Sequence, residues 1–435
     1  MVRSVNLINP SSAPGTLANR EGAAGLGVVY PEPGPFFYPP HTLATVAASL
    51  RDAGFDVNAF DGVVQSATDD WLQAEAIGVF VSYATLDTDV AYISDLRSHT
   101  SAKLVAFGPS ARFVHGELLA RAPLDAVLVG EAEGYFASAL QWLASHHSGF
   151  GARLLFPNDV GAGGHDAQGL LEDLDSVPFP AWDLLPHERY PLLTVLSSRG
   201  CPDGCTYCPY AVAQGSHFRA RSVENVLSEL TLLSERFSPS RLVFRDPVFA
   251  HDRSRVIRLC SEMIGRNLQL RWECESRPEH FDTELLGLMR RAGCQWVKIG
   301  LETTNKDLLV KLGRVTSARE AEAYLRQVAH IVRTCRKMGV QCRLFVMAGL
   351  PGQDDADAAE TASFVAEVRP DALNVKLCES YPGVACTAEA GPSTQGQLHI
   401  LDSSKEALRS PRGAVGLPAR VRRWLSRQMR SVRHE

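Results

Sequence analysis

The stretch SSRGCPDGCTYCPY, residues 197–210, contains Cys201, Cys205 and Cys208 within eight residues. A structural zinc ion normally takes four ligands and disulfides take cysteines in pairs, so three thiols at this spacing suit neither. The stretch follows an apolar run that is typical of a β-strand, which predicts a loop at the carboxyl end of that strand. Three thiolates can hold an iron–sulfur cluster and leave one iron open to another ligand. A zinc site completed by a distant histidine is the alternative.

Composition sets the class of protein. The chain has 435 residues, of which 45% are apolar and 21% charged, as expected of a soluble globular protein with more than one domain. A formal net charge of −5 disfavours a nucleic-acid or anionic-membrane surface over the whole body. No apolar run reaches the length of a membrane span, and the N-terminus lacks the apolar region of a signal peptide. We therefore expect a cytoplasmic protein, in which the ten cysteines stay reduced.

The N-terminal third alternates β-type runs with helical segments. Near-continuous apolar strands separated by helices are typical of a parallel sheet covered on both faces, so we predict a doubly wound α/β, Rossmann-like domain over residues 1–145. Ligands of such sheets bind beyond the carboxyl ends of the strands, although Gly and Pro there also simply end strands. The predicted strands are residues 5–10, 56–61, 76–82, 103–108 and 125–131, with helices at 41–54, 86–99 and 111–122. The strand-end candidates are Ser82, Tyr83, Gly108, Pro109, Gly130 and Glu131.

A connector is predicted at residues 146–190, and strands alternate with helices again over residues 191–385. Six strand–helix units are too few for a closed eight-stranded barrel and indicate an open, partial (β/α)6 barrel. Charged residues occupy every second position of several of these strands, as Lys298 and Glu302 do in one of them. A sheet buried on both faces carries such charges only where one face lines a polar cavity. The predicted strands are residues 192–197, 241–246, 268–276, 295–302, 341–349 and 373–378.

The cysteine motif, with aromatic Tyr207 before its last cysteine, resembles that of the radical S-adenosylmethionine (SAM) enzymes. The similarity covers residues 5–385 and extends to the cobalamin-dependent branch, which includes the class B radical SAM methyltransferases. The stretches that carry it in the barrel are RDPVF (245–249), WECESR (272–277), MRRAGCQWVKIGLET (289–303), GLPGQ (349–353) and YPG (381–383). Those before the barrel are FGPSA (107–111), VGEAE (129–133) and LDSVPFPAWDLL (174–185).

The resemblance implies a [4Fe-4S] cluster, SAM and cobalamin as cofactors. No Asp-x-His occurs in the chain, so the histidine that binds cobalt in many cobalamin proteins has no counterpart, and Phe107 stands where the family often has glycine. The implied cluster ligands are Cys201, Cys205 and Cys208. The implied SAM contacts are Tyr207, Asp246, Ser276, Arg277, Glu302 and Gly349. The implied cobalamin contacts are Ser82, Tyr83, Gly108, Pro109 and Gly130, with Glu131 and Glu133 beside them.

The activity implied by the resemblance is methyl transfer to an unactivated carbon. One SAM methylates reduced cobalamin, and a second is cleaved at the cluster to a 5′-deoxyadenosyl radical that abstracts hydrogen from the substrate. The substrate radical then takes the methyl group. The implied partners are a small, natural-product-like substrate and an external electron donor of the flavodoxin or ferredoxin type, without nucleic acid or membrane span. No catalytic side chain is assigned; Glu379 and Tyr381, at the end of the last strand, are candidates by position only.

Other functions remain open. A cobalamin-associated radical SAM cyclase or rearrangement enzyme would use the same two domains, and a non-catalytic cobalamin-binding protein belongs to another class. A methylthiotransferase is disfavoured because it needs cysteines in its N-terminal domain, and none precedes Cys201. Residues 386–435 are predicted to be a short extension with a basic helix near residues 417–435, which we expect to pack on its own protein. Docking of this helix on an acidic partner such as a carrier protein, or on a phosphorylated substrate, is the alternative. Substrate identity and oligomeric state are not specified.

Overall fold

The computed structural model describes residues 2–32, 36–66, 69–145, 154–156, 169–386 and 392–409. The chain forms two compact units, one of residues 1–202 and 209–243 and the other of residues 203–208 and 244–435. The chain therefore passes between the units inside the cysteine loop, with Cys201 in the first unit and Cys205 and Cys208 in the second. The basic helix predicted near residues 417–435 lies outside the described residues. The four-part division into 1–145, 146–190, 191–385 and 386–435 stays a prediction.

The first unit is built on a mostly parallel sheet. Its strands are β1 (Ser4–Asn9), β2 (Thr16–Asn19), β3 (Val28–Pro31), β4 (Asp56–Asp61), β5 (Ala76–Phe80), β6 (Lys103–Phe107), β7 (Ala126–Leu128), β8 (Leu154–Leu155), β9 (Leu193–Val195), β10 (Ser198–Arg199) and β11 (Arg219–Ala220), and β12 (Leu242–Phe244) spans the division. The sheet order is β4-β1-β5-β6-β7-β8, with only β8 antiparallel. All five residues of β5 are buried, as expected of a strand covered on both faces.

The helices predicted at residues 41–54, 86–99 and 111–122 are present in this unit, together with others that were not predicted. They are α1 (Gly22–Gly25), α2 (His41–Asp52), α3 (Leu86–His99), α4 (Ala111–Arg121), α5 (Phe136–Leu143), α6 (Pro209–Gln214) and α7 (Val223–Leu232). The predicted cap of α7 is confirmed, because the Ser222 hydroxyl accepts a hydrogen bond from the Asn225 N–H at 3.2 Å. The sequence analysis did not anticipate the β2–β3 hairpin or α1, which interrupt the connection from β1 to α2.

A buried charge occupies the position at which the strand order of this sheet reverses. The strands β4 and β5 lie on opposite sides of β1, and open α/β sheets bind ligands at such a switch point. Arg20 follows β2, and its guanidinium reaches the end of β1. There it contacts Asn9 Oδ1 at 3.1 Å and the Pro10 carbonyl at 2.7 Å. The same group pairs with Asp89 of α3 at 2.5 Å, and both side chains are almost completely buried. The chain's own Arg20 therefore fills part of the expected crevice.

The second unit continues the alternation of strands and helices. Its strands β13 (Trp272–Glu275), β14 (Cys294–Glu302), β15 (Gln341–Ala348) and β16 (Ala372–Leu377) are parallel neighbours. Its helices are α8 (Arg253–Gly265), α9 (Thr283–Arg291), α10 (Lys306–Lys311), α11 (Ala318–Met338), α12 (Asp355–Val368) and α13 (Pro392–Arg409). Sequence signals explain the bounds of α11, since the Ser317 side chain caps its start and Gly339, with φ of +70°, ends it. Within the described residues, no helix combines the length and apolarity needed to cross a membrane.

The predicted polar face of this sheet is confirmed. Lys298 of β14 lies 3.1 Å from Glu273 Oε1 of β13, and both side chains are buried. Val297, Ile299 and Leu301, which alternate with these positions, are fully buried on the opposite face. Two further cations lie over aromatic rings, Arg343 over Trp296 at 4.9 Å and Lys376 over Phe345 at 4.7 Å. The face is therefore a polar surface whose charges are mostly compensated within the sheet.

The Arg20–Asp89 pair gives a first prediction. Asp89→Ala leaves a buried guanidinium without its carboxylate, so we expect a loss of about 3–5 kcal/mol in the free energy of unfolding of the first unit. Urea unfolding followed by circular dichroism measures this loss. Asp95→Ala, at an exposed position of the same helix, is the matched control and should change stability by less than about 0.5 kcal/mol. Equal stability of the two variants would contradict the argument.

Candidate functional site

The cysteine loop begins on the β10–β11 hairpin. The Cys201 N–H donates to the Gly215 carbonyl at 3.1 Å. At Gly200 a Cβ atom would lie 2.0 Å from the His217 carbonyl oxygen, so only glycine permits this approach of the two chain segments. Cys201 is therefore held by main-chain contacts from residues 215–217, within the first unit.

The other end of the loop lies in the second unit and packs on the turn after α10. The Thr206 N–H donates to the Leu312 carbonyl at 2.9 Å, and the Thr206 carbonyl accepts from the Cys386 N–H at 2.9 Å. A Cβ atom at Gly313 would lie 2.5 Å from the Gly204 carbonyl, which shows how closely the two segments approach. Residues 203–208 are thus fixed on both sides by backbone hydrogen bonds.

Two arginines point at the sulfur of Cys205. Arg277 Nη1 and Arg314 Nη1 each lie 3.9 Å from Cys205 Sγ. Arg277 also donates to the Arg314 carbonyl at 2.7 Å and pairs with Asp203 at 3.3 Å. Arg314 donates from Nε to the Tyr324 hydroxyl at 2.9 Å. The Cys205 sulfur therefore has two guanidinium groups as neighbours.

A carboxylate from the end of β14 completes this group. The Tyr207 hydroxyl donates to Glu302 Oε1 at 2.9 Å. Burial raises the pKa of Glu302 above its ordinary value although Arg314 opposes the shift, and burial together with Glu302 raises the pKa of Tyr207. Glu302 has a φ of +63°, and its carboxyl folds back over Gly300, where a Cβ atom would lie 2.0 Å away. The strand end therefore turns this carboxyl toward the cysteine loop.

The structure brings together only part of the predicted SAM set. Tyr207, Arg277 and Glu302 lie around Cys205 through the contacts above. The Ser276 hydroxyl is bound to the Ala250 N–H at 3.2 Å and to His280 Nδ1 at 3.0 Å, so it is occupied by protein partners. Asp246 is fully buried, and the Gly349 N–H donates to Gln397 of α13 at 2.8 Å. All six assignments stay predictions.

Arg314 was not predicted, although it belongs to the centre of this group. It is 92% buried and contacts Cys205, Tyr324 and the Gly300 carbonyl. It lies in a turn after a short helix, in LGRVTS (312–317), where an isolated arginine carries no periodic or spacing signal. The only signal available from the sequence is that a charged side chain flanked by apolar residues, if it is buried, must be paired with an anionic or acceptor group.

The predicted cobalamin residues Glu131 and Glu133 lie in an ion-pair network with the β10–β11 hairpin. Arg219 donates to Glu131 through two nitrogens, at 2.8 and 2.9 Å, and Arg199 lies 3.2 Å from Glu131 and 2.5 Å from Glu133. Burial raises the pKa of Glu131, but Arg199 and Arg219 lower it by more, so its pKa lies below the ordinary value. Because Arg199 precedes Cys201 by two residues, this network anchors the start of the cysteine loop.

The features of the remaining predicted cobalamin residues are explained by the backbone and by contacts with other residues of the protein. Gly108 and Gly130 have φ of +136° and +96°, a conformation that favours glycine whatever lies nearby. Ser82 is fully buried and hydrogen-bonds Thr85 at 2.7 Å.

A loop also covers part of these strand ends. Ser110 donates to the Gly25 carbonyl at 2.5 Å, and a Cβ atom at Gly25 or Gly27 would lie 2.5 Å from Pro109 or 2.3 Å from Ser82. Residues 20–27 were not singled out from the sequence, although their glycines were visible there. Tyr83 and Pro109 stay half-buried, and Ala84 is exposed. A ligand at this edge would meet main chain and small apolar surface more than free polar side chains.

The residues present fit the implied iron–sulfur cluster chemically. All ten cysteines are free of disulfides, and Cys205 has two guanidinium neighbours. In the described part of the chain no three His, Cys, Asp or Glu side chains form a ready ligand set for a metal ion. Assignment of the cluster to Cys201, Cys205 and Cys208 therefore stays a prediction that the chemistry of the loop supports.

The two positional candidates at the end of β16 contact each other. The Tyr381 hydroxyl donates to the Glu379 carboxylate, and Glu379 is exposed. The pair lies in the turn that leads to Cys386, whose N–H binds the cysteine loop. A role in substrate contact stays a prediction.

Arg314 gives the second prediction. Arg314→Gln leaves Cys205 with one cationic neighbour and Tyr324 without its donor, so we expect iron to be held about 10–100-fold more weakly after anaerobic reconstitution. Iron content during titration with a chelator measures this, and Arg314→Lys, which keeps the charge but not the planar group, should be intermediate. Arg319→Gln, at an exposed position of α11, should behave as the unsubstituted protein. Unchanged iron retention in Arg314→Gln would refute the role.

Glu131 gives the third prediction. Glu131→Gln removes the charge that compensates two buried arginines, and we expect a loss of about 3–5 kcal/mol in unfolding free energy at pH 7. Because the folded pKa of Glu131 lies below its ordinary value of 4.5, the stabilisation is present above that pH and disappears as pH falls through the lower, folded pKa. The two proteins should therefore converge in stability below pH 4.5 in urea unfolding. Exposed Glu117→Gln serves as control; a difference that persists in acid would contradict the assignment.

Known proteins resemble this chain in sequence and in fold. Residues 195–365 match the radical SAM superfamily. An uncharacterised methyltransferase of Pyrococcus horikoshii is 26% identical over 368 residues, 79% of this chain and 77% of the relative. The anaerobic magnesium-protoporphyrin IX monomethyl ester cyclase of Rubrivivax gelatinosus is 22% identical over 370 residues, 79% of this chain and 65% of the relative.

A solved structure shows the same fold. The radical SAM methyltransferase TsrM of Kitasatospora setae, with cobalamin and a [4Fe-4S] cluster bound, superposes with a TM-score of 0.69 and 17% identity, covering 88% of this chain and 74% of that chain. This likeness confirms the predicted fold class, a Rossmann-like domain combined with a radical SAM barrel. Residues 195–365 are a radical SAM domain, and the chain as a whole resembles proteins of the cobalamin-dependent branch.

Proposed function

We propose that the protein is a cobalamin-dependent radical SAM methyltransferase that moves a methyl group from SAM, by way of cobalamin, to an unactivated carbon of a small, natural-product-like molecule. The radical SAM domain over residues 195–365 indicates an enzyme that uses a [4Fe-4S] cluster and SAM. The relative from Pyrococcus horikoshii is named a methyltransferase, and the structurally similar TsrM is one with cobalamin bound. These names support methyl transfer rather than another radical outcome.

The observation that carries the proposal is the group around Cys205. Two arginine N–H groups at 3.9 Å from its sulfur, with Tyr207 and Glu302 beside them, give the cysteine loop a polar, cationic flank. A purely structural loop would not need two guanidinium groups at one thiol, with a hydrogen-bonded tyrosine and carboxyl group beside them. The arrangement suits a loop whose thiolates bind a metal cluster and whose neighbours contact a charged ligand.

We propose that Cys201, Cys205 and Cys208 hold the cluster, and that Arg277 and Glu302 face the carboxylate and amino groups of SAM. The half-buried edge at Tyr83 and Pro109 would take the corrin ring in the predicted cobalamin domain, residues 1–145. When bound, these groups supply the radical and methyl-transfer chemistry. The chain's own residues position them and exclude water.

The polar face formed by strands β13 to β15 is an argument for binding of a small polar ligand. A carboxylate accepts hydrogen bonds and donates none. Oε1 of Glu273 is paired with Lys298, whereas the buried Oε2 has no hydrogen-bond partner among the described residues. A buried acceptor in this state costs free energy unless a donor reaches it. We propose that a hydroxyl or amino group of SAM or of the substrate supplies that donor.

Partners and location follow from the same chemistry. Enzymes with a radical SAM domain act on small molecules and require a reductant. We propose that the donor is of the flavodoxin or ferredoxin type and that the protein works in the cytoplasm. Support for that location comes from the sequence, in which the seven cysteines outside the motif are scattered and do not have the spacing of a disulfide framework.

A cyclase or rearrangement activity is the second candidate. The relative from Rubrivivax gelatinosus, named a cyclase, matches 79% of this chain, which is as much as the methyltransferase relative does. Both outcomes need the same cofactors, so they differ only in whether the methyl group leaves cobalamin for the substrate.

The fourth prediction tests this choice. The protein is reconstituted anaerobically with iron, sulfide and hydroxocobalamin and incubated with methyl-deuterated SAM and a strong reductant. Mass spectrometry should detect 5′-deoxyadenosine together with cobalamin that carries the label. 5′-Deoxyadenosine with bound but unlabelled cobalamin would favour the cyclase or rearrangement activity, and failure to bind SAM would refute both.

Cysteine variants control for contaminating activity. Cys208→Ala should abolish iron binding and 5′-deoxyadenosine formation, because the cluster loses one of its three thiolates. Cys260→Ala, at a fully buried cysteine of α8 away from the motif, should keep both. Cleavage of SAM by Cys208→Ala at the unsubstituted rate would show that the product comes from another protein.

A further inference from the structure

Two cysteines outside the motif face each other. The sulfur atoms of Cys378 and Cys386 lie 3.6 Å apart, and the residues are separated by eight positions in the chain. A disulfide has its sulfurs about 2.0 Å apart, so a small movement of two side chains would join them. Both cysteines belong to an apolar cluster with Leu312, Met347 and Leu350, against which Tyr207 packs.

Exposed residues of a short turn flank the pair. Each cysteine is 7% exposed, whereas Leu377, Glu379, Ser380, Gly383 and Ala385 around them are exposed. Two other pairs of neighbouring thiols occur in this unit, Cys274 beside Cys294 and Cys335 beside Cys342, and all four are completely buried. Opening one turn would reach the first pair, while the others require opening of the unit's core.

We propose that Cys378 and Cys386 form a reversible disulfide, a modification site distinct from the three-cysteine motif. Both thiols are oxidised and lose their protons as one sulfur–sulfur bond forms. The oxidant is a small-molecule disulfide such as oxidised glutathione, which accepts two electrons and leaves as two thiols. The first thiolate attacks it to give a mixed disulfide, and the second displaces the remaining thiol. The closed loop is short, so thiols reduce the bond again readily.

The modification acts on the cysteine loop through the backbone. The Cys386 N–H donates to the Thr206 carbonyl, and Thr206 lies between Cys205 and Cys208. At the other end, the Cys378 N–H donates to the Ala348 carbonyl at the end of β15. The disulfide therefore ties the turn that holds Thr206 to the last strands of the sheet. The oxidised form has a more rigid cysteine loop than the reduced form.

Burial sets the rate of the reaction. Burial, with Cys386 beside it, raises the pKa of Cys378 to about 12, so little thiolate is present at neutral pH. Below that pKa the thiolate fraction grows about tenfold for each unit of pH. Oxidation should accordingly be slow at pH 7 and accelerate by about that factor per unit up to pH 9.

The fifth prediction uses the anaerobic, cluster-loaded protein in glutathione buffers that range from reduced to oxidised. Trypsin cuts after Lys376 and Lys405 with no Lys or Arg between them, so both cysteines fall in one peptide. In oxidising buffer this peptide should lose two hydrogen atoms and resist alkylation, and dithiothreitol should restore both thiols. Hydrogen exchange at the Thr206 and Cys386 amides should slow in the oxidised form. Iron content is measured in parallel to show that the cluster thiols stay bound.

The chain supplies its own controls. The thiols of the Cys274–Cys294 and Cys335–Cys342 pairs should stay reduced at every buffer ratio, because no oxidant reaches them. After unfolding, all four should therefore react with the alkylating reagent. Cys386→Ser should abolish the peptide's mass change and the slowing of exchange at Thr206. The proposal is overturned if the 378–386 pair stays reduced in oxidised glutathione, if all three pairs oxidise together, or if exchange at Thr206 slows equally in Cys386→Ser. None of these readouts depends on methyl transfer, so they stand apart from the proposed function.

Discussion

A charged side chain that leaves water must find its partner inside the protein, and this constraint organises both units of the structure. In the first unit Arg20 pairs with Asp89 at the switch point of the sheet, and Glu131 pairs with Arg199 and Arg219 beside the start of the cysteine loop. In the second unit Lys298 pairs with Glu273 on the inner face of the strands. Unpaired, any of these groups would cost several kcal/mol. The pairs therefore fix which loops can close over the strand ends, and so where ligands can approach.

The same constraint gives the cysteine loop its chemistry. Arg277 and Arg314 cannot both be buried without anionic or acceptor partners, and the groups available to them are Asp203, Glu279, Tyr324 and the sulfur of Cys205. The pairing of these two arginines therefore also fixes the packing of residues 203–208 around Cys205. The charge of Glu302 and its bond to Tyr207 extend this network toward the end of β14.

At the strand ends of the first unit the structure differs from the expectation drawn from the sequence. Small residues there suggested that a bulky ligand could approach the backbone freely. Instead, Gly108 and Gly130 adopt positive φ angles, Ser82 is fully buried, and residues 20–27 pack on Ser82 and Pro109. A ligand at this edge meets main chain and the half-buried surface of Tyr83 and Pro109. This is consistent with a cofactor held by shape and backbone contacts rather than by a protein ligand to its metal.

The sequence by itself determined what local pattern and spacing can encode. Apolar periodicity predicted the strands of both sheets except β8 and the bounds of α3, Ser222 predicted the cap of α7, and alternation along β14 predicted the polar face. The cysteine spacing indicated the family. Tertiary structure alone decided which distant side chains meet: Arg314 at Cys205, Arg20 at Asp89, Cys386 at Cys378. These pairs are separated by many residues or lie in turns without periodicity, and their contacts arise from burial, which no single segment of the sequence specifies.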